Sequence, residues 1–326
     1  MAFSPLDNQL ELVTGNYSPE LQRDLVWLSG HVPYAVVSET LERLGAVAVP
    51  PASVWRICQV HGQRLATQAA WFQNQVGLDR LRWSQAEYEP QARKGVSMDG
   101  GMVLVREEGW KELKVGVVSD LVAPDIRQFD ASKDPLHRNL HYTASLGGVP
   151  EFSAALWCLA VQHNVPYAGQ VAVTADGAAW IWGLTAELFP GSTQVVDWFH
   201  AAQHIDAAAL KRFPADNQSD EAKRWSEALK QFLFHGECFK VIAALHQANL
   251  SDDAAYFETH QHRMDYPAFR ADGFPIGSGS TESAVKQFKH RLCGPGMRWS
   301  RTGLNQMVVI RAAVLDSSFD ALWDAA

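Results

Sequence analysis

Three short stretches of this chain place an acidic residue where a two-metal phosphoryl-transfer site would need one. Asp99 closes Val96-Ser97-Met98-Asp99-Gly100-Gly101, Asp176 closes Ala172-Val173-Thr174-Ala175-Asp176-Gly177, and Glu282 lies within Gly279-Ser280-Thr281-Glu282-Ser283. The first two acids end β-branched apolar runs that read as buried strands, and the third follows a Gly/Ser turn that opens a helix. Two strand-borne aspartates and one helix-borne glutamate can converge on two Mg²⁺ or Mn²⁺ ions, because hard cations take carboxylate oxygens and keep several waters. In that arrangement Asp99 bridges both ions, while Asp176 and Glu282 each complete the shell of one. Ions roughly 3.5–4 Å apart would activate a water and stabilise a leaving 3′ oxygen. Such chemistry points towards nucleic acids, and the glycines after Asp99 and Asp176 leave room for a DNA backbone.

Other chemistry-bearing residues fit supporting parts. His200 and His204 have the i, i+4 spacing that can chelate zinc, but no third ligand is evident, so a structural place near the acids is expected. His260 and His262 read as solvent-facing loop. Gly277-Ser-Gly-Ser lacks the Gly-Lys-Ser/Thr ending of a phosphate loop and reads as the turn before the Glu282 helix. Trp180 and Trp182 read as packing for the helix behind Asp176. Trp299, between Arg298 and Arg301, is the aromatic expected to meet DNA, where stacking on a base would contribute about 1–3 kcal/mol.

The elements that must position these residues can be read coarsely. Ser18 and Pro19 signal a helix start, Leu21, Leu25 and Leu28 form its apolar stripe, and Gly30 reads as its end. An amphipathic segment at about Tyr34 to Leu44, a turn at Gly45 and a third helix from about Ser53 outline a helix-turn-helix, with Arg56 as the expected phosphate contact. Gln63 to about Tyr88, with Leu65, Trp71, Phe72, Leu78 and Leu81, reads as a linker helix. From Gly95 the period changes. Val96 to Asp99, Met102 to Val105 and Leu113 to Val118 read as three strands of a tight meander. A helix at Glu151 to His163, a strand at Val171 to Asp176, a helix at Ala178 to Leu188 and a strand at Gln194 to Trp198 follow.

That succession is the order of a ribonuclease-H-like sheet. The expected fold is therefore α/β: a ribonuclease-H-like catalytic domain at 91–326, preceded by a tail at 1–16 and a small helical, helix-turn-helix-like module at 17–90. The 106 residues between Asp176 and Glu282 are explained by a helical insertion at about 201–270.

Bulk composition agrees with a globular protein. Of 326 residues 47% are apolar and 20% charged, enough for a large core and against disorder. No apolar run reads as a membrane span, and the four cysteines, without a C-x-x-C pair, read as reduced thiols, so a cytoplasmic, nucleoid-associated protein is expected. The net charge of -8 speaks against nucleic-acid binding over the whole surface. Between Thr281 and Arg311, however, Lys286, Lys289, Arg291, Arg298, Arg301 and Arg311 stand against Glu282 alone, a local net charge of +5. Lys286, Lys289, Arg291, Arg298 and Arg301, with Trp299 and Arg56, are the expected DNA contacts.

Several long motifs resemble one family. Asp99-Gly-Gly with Glu108-Gly-Trp-Lys-Glu-Leu-Lys-Val-Gly, Asp176-Gly-Ala-Ala-Trp-Ile-Trp, and Phe189-Pro with Asp197-Trp-Phe-His-Ala-Ala-Gln-His204 occur in order. Gly277-Ser-Gly-Ser-Thr-Glu-Ser and Met297-Arg-Trp-Ser complete the series. Over residues 16 to 323 the chain resembles bacterial insertion-sequence transposases of the Kra type, relatives of the Mutator-like enzymes. The resemblance implies an Asp-Asp-Glu metal-binding triad at Asp99, Asp176 and Glu282, with Asp197 and His200 as supporting residues. It implies cleavage at the terminal inverted repeats of an element, joining to target DNA, and action as a homo-oligomer. Family members commonly carry a zinc ribbon with paired C-x-x-C motifs before the Ser-Pro helix. This chain begins Met1-Ala-Phe-Ser-Pro, so a shortened copy, or a separate zinc-ribbon polypeptide as partner, is expected. The competing expectations are a catalytically decayed DNA-binding remnant and a plain nuclease. Three retained carboxylates favour the enzyme over the remnant, because a pure binder has no need of uncompensated buried acids. The helical insertion favours the transposase over the plain nuclease.

Overall fold

The computed structural model describes residues 17–78, 88–122, 137–214 and 219–326. Three helices come first: α1 (Pro19–His31), α2 (Tyr34–Gly45) and α3 (Pro51–Leu78). The Ser18 hydroxyl accepts the Leu21 N–H at 3.3 Å and Pro19 occupies the first turn, as the sequence predicts. Gly30 does not end α1. It sits inside the helix, where a Cβ would lie 2.8 Å from Val314 Cγ2, so its role is close packing. The left-handed residue after α2 is Ala46, at φ 52°, not Gly45.

The third helix of the expected helix-turn-helix and the expected linker helix are one rod, α3. Gly62 lies within it for a packing reason, since a Cβ there would stand 2.9 Å from Gln306 Cβ. The tail 1–16 and the linker stretch beyond residue 78, including Leu81, lie outside the described residues.

A five-stranded mixed sheet forms the centre: β1 (Glu89–Val105), β2 (Gly109–Leu121) and β3 (His137–Ser145), then α4 (Val149–Gln162), β4 (Ala168–Ala175), α5 (Ala179–Leu188) and β5 (Thr193–Val196). The strand order is β3-β2-β1-β4-β5. β1, β2 and β3 pair antiparallel, whereas β4 runs parallel to β1 and β5 parallel to β4. The expected meander is corrected here. Val96–Asp99 and Met102–Val105 are two halves of β1, which continues through Gly100 and Gly101 without a turn. Those glycines permit close approach: a Cβ on Gly100 would lie 2.4 Å from Glu112 Oε1, and one on Gly101 would lie 2.9 Å from Val285 Cγ1. The third strand is instead β3, an edge strand with no fully buried residue.

After β5 come α6 (Trp198–Arg212), α7 (Asp220–Phe234), α8 (Cys238–Gln247), α9 (Ser251–His260) and α10 (Tyr266–Ala271), so the expected insertion is helical among the described residues. The chain closes with α11 (Gly279–Leu292), α12 (Arg301–Leu315) and α13 (Phe319–Ala325). Among the described residues, no helix is long and apolar enough to cross a membrane.

Alternation along β1 divides the interior in two. Val96 and Met98 point to a core with Phe152, Ile181, Ile205 and Phe257, built from α4, α5 and the inserted helices. Val103 and Val105 belong to a second core with Leu25, Leu65, Phe288 and Met307. The N-terminal helices are thus built into the same packing as the sheet, α11 and α12, not set apart as an appended module.

Candidate active site

Asp99 lies on the central strand, and Asp176 directly follows β4. Met98 and Ala175 are partners in the parallel ladder, so the two acids continue the register at neighbouring positions. Asp99 shares its face of β1 with Ser97 and Gly101, the face on which α11 lies. Glu282 sits in the first turn of α11, where the positive end of the helix favours a carboxylate.

Hydroxyls fasten α11 to β1. Thr281, fully buried, donates to the Ser97 oxygen, and the Ser97 and Ser280 hydroxyls lie 3.3 Å apart. Asp197 ties the same helix to β5. It is buried, caps α6 by accepting the His200 N–H at 2.9 Å, and accepts both the N–H and the hydroxyl of Ser278, the residue that precedes α11. The Asp197 N–H donates to Ala175 at 2.8 Å, so one residue links the strand that ends at Asp176 with the helix that carries Glu282. Asp197 is a positioning residue.

The turn after Asp176 is held from the other core. The Asp176 carboxylate accepts the Ala178 N–H at 2.9 Å. A Cβ on Gly177 would lie 2.4 Å from Tyr256 and 3.2 Å from His260 Nε2, so the inserted helix α9 presses directly on this turn. His260 is therefore not the solvent-facing loop residue expected. It is buried, its Nδ1 lies 3.1 Å from Arg263 Nη1, and its ring meets Tyr256 edge-on. His204 is absorbed by ring stacking on Tyr256, with centroids 3.7 Å apart. Trp182 is buried behind Asp176 and Trp180 packs against the same core, as the sequence predicts.

Asp176 and Glu282 lie near enough to Asp99 for their charges to act on it. Burial raises the Asp99 carboxyl above its ordinary value, and the charges of Asp176 and Glu282 push the same way. The Gly100 N–H, bonded to Asp99 Oδ1 at 2.6 Å, and His200 pull it down. A carboxyl raised by burial and by neighbouring acids is one that a divalent cation would favour in its charged form. The Glu282 carboxylate pairs with Lys286 at 2.6 Å along its own helix, and both side chains are largely exposed. An exposed i, i+4 pair contributes only about 0.3–0.5 kcal/mol, so the pair with Lys286 holds the Glu282 side chain only weakly.

The expected DNA-contacting residues separate into two groups. Arg56, Lys286, Lys289 and Arg298 are exposed, and the aliphatic stem of Lys289 runs beside Gly101 of β1. Arg291, Trp299 and Arg301 are corrected. Arg291 is 1% exposed, donates to the Ser29 carbonyl at 2.6 Å and lies over the Tyr34 and Trp299 rings. Trp299 is buried, its indole N–H donates to the Leu292 carbonyl at 2.8 Å, and its backbone extends the end of β1 through a bridge to Val105. Neither is free to meet a nucleic acid. Arg301 is held by Glu108 and by the Leu146 carbonyl at 3.1 Å. Sequence reasoning missed Ser97, Ser278, Thr281 and Tyr256, whose residue types carry no signal until the fold brings them together.

No protein-family model matches the chain, and none of the curated proteins does.

Proposed function

We propose that this protein is a metal-dependent DNA transposase with a ribonuclease-H-like fold. It would cleave at the ends of an insertion sequence and join the freed 3′ ends to target DNA. The observation that carries the reading is the placement of the acids on a β3-β2-β1-β4-β5 sheet: Asp99 on the central strand, Asp176 at the end of the parallel neighbour, and Glu282 on the helix crossing that face. Asp99, Asp176 and Glu282 would hold two Mg²⁺ or Mn²⁺ ions. When bound, the ions supply an activated nucleophile and stabilise the leaving oxygen. Asp197 and Ser278 fix the start of α11, Ser97 and Thr281 set its height over β1, and His200 lowers the cost of ionising Asp99. Lys289 and Arg298 offer phosphate contacts on the same side as α11, and Lys286 becomes available once Glu282 turns away.

The test is metal-dependent cleavage and strand transfer on DNA carrying the repeats that flank the gene, with Asp99→Ala and Glu282→Ala as controls. The expected outcome is cleavage and joined products from the wild type and a loss of at least about 10³-fold in both variants, with folding intact. A variant that nicks at the wild-type rate overturns the site. Retained DNA binding without any wild-type cleavage favours the binding-only remnant.

A further inference from the structure

Away from the carboxylates, at the far edge of the sheet, a second set of ligating groups comes together. His141 lies on β3, His163 follows α4 and Asp316 follows α12, and their ligating atoms all fall within 4.8 Å of one another. Among the described residues this is the one His/Cys/Asp/Glu group of three so arranged. The three residues come from segments far apart in sequence, so no local turn explains the meeting.

The geometry is that of a partly assembled coordination shell. His141 Nδ1 and Asp316 Oδ1 are 2.9 Å apart, and the two imidazole rings stack with centroids 3.3 Å apart and planes 14° from parallel. The edge of a tetrahedral zinc site with bonds near 2.0–2.1 Å is about 3.3 Å, so the ligating atoms lie within reach of one ion once the two stacked rings turn apart to aim their in-plane lone pairs at it. Asp316 is already oriented by a second donor, since its Oδ1 accepts the Tyr142 N–H at 3.1 Å. Such a partner to a ligating carboxylate is what tuned metal sites use.

We infer that His141, His163 and Asp316 bind a zinc-class divalent transition metal, which pins the end of α12 to β3 and α4. Two imidazoles and one carboxylate favour Zn²⁺ or Co²⁺ over Mg²⁺, which demands oxygen ligands. Three protein ligands leave the fourth position to water. On binding, the proton of the N–H that His141 Nδ1 shares with Asp316 Oδ1 passes through solvent to His141 Nε2, leaving the ring neutral, and metal–nitrogen and metal–oxygen bonds replace that hydrogen bond. The site is separate from the acids, with β2 between β3 and the strand of Asp99.

The test is calorimetric titration of the chelator-treated full chain with Zn²⁺, together with the visible spectrum of its Co²⁺ form. The proteins are the wild type, Asp99→Asn to disable the acidic site, and His163→Gln and Asp316→Asn to disable this one. One zinc equivalent is expected in Asp99→Asn, beside whatever the acids bind in the wild type, and it should be weakened about 100-fold or more when His163→Gln or Asp316→Asn is added to that variant, with unchanged circular dichroism. The wild-type Co²⁺ form should show the intense bands of four-coordinate cobalt. Absence of zinc binding in Asp99→Asn, binding there unchanged by His163→Gln, or a solely six-coordinate cobalt spectrum of Asp99→Asn overturns the inference. If the variants fail to fold, the cobalt spectrum of the wild type and of Asp99→Asn still decides it.

Discussion

On one face of the sheet the core is drawn from a nearly continuous stretch, with Phe152, Ile181, Ile205, Phe257 and Ile276 all between α4 and the start of α11. On the other face it is drawn from both flanks of that stretch, Leu25 and Leu65 on one side and Phe288 and Met307 on the other. The candidate site straddles the two. Asp176 is set by the contiguous core through Tyr256, His260 and Trp182, while Glu282 is set by the composite core through Ala284, Val285 and Phe288. Asp99 belongs to the strand that walls both. A perturbation of either core should therefore destabilise the protein by a similar amount and disturb a different carboxylate.

The largest expected stability effect breaks this symmetry. Phe257→Ala and Phe288→Ala each remove a fully buried ring and should each cost about 3–5 kcal/mol in denaturant unfolding. Only Phe288→Ala should weaken the divalent-metal stabilisation that depends on Glu282, and equal weakening in both would argue against separate control of the two acids. Asp197→Ala cuts the tie between the cores. It removes acceptors for His200 and for both donors of Ser278, and should lower stability by about 2–4 kcal/mol while Asp197→Asn loses less.

A smaller effect has the opposite sign. The Asp99 carboxyl has a folded pKa above its unfolded value, so the folded state holds the proton more tightly and stability falls as pH rises through that interval. Asp99→Asn should accordingly be more stable than the wild type at neutral pH, by about 0.5–2 kcal/mol. The difference should close once the pH drops below the ordinary carboxylate value, and a thermal-melt series across pH reads it directly. Smallest of all, Lys286→Ala should cost about 0.3–0.5 kcal/mol, yet tighten Mn²⁺ binding measured by calorimetry, because Glu282 loses its competing partner.

Much of this arrangement is legible in the sequence, for identifiable reasons. The acids of β1 and β4 stand at the ends of apolar runs, and caps such as Ser18-Pro19 are local chemistry. The inserted helices show their apolar period. What failed depends on tertiary contact. Gly100-Gly101 reads as a turn because glycine permits one, whereas here it admits Glu112 and Val285 beside an unbroken strand. β3 hides because an edge strand with no buried residue has no apolar alternation to read. Arg291 and Trp299 look like a nucleic-acid surface, but charge and aromaticity carry no burial label, and the Ser29 and Leu292 carbonyls that claim them are distant or unmarked in sequence. His141, His163 and Asp316 could not be grouped without the fold.

The composite core also has a consequence in time. Arg23 and Asp320 meet at 2.6 Å across 297 positions, and α1 packs on α12, so that face cannot close until its last helices are made. At 5–20 residues per second, the sheet bearing Asp99 and Asp176 would wait roughly 4–20 s for Glu282 to be synthesised. Ribosome-stalled chains ending before α11 should accordingly protect the inserted helices from protease while leaving α1 to α3 open to it, and early protection of α1 would contradict this order. For that interval a nascent chain carries Asp99 and Asp176 on a finished sheet whose second face still lacks the helix that bears Glu282.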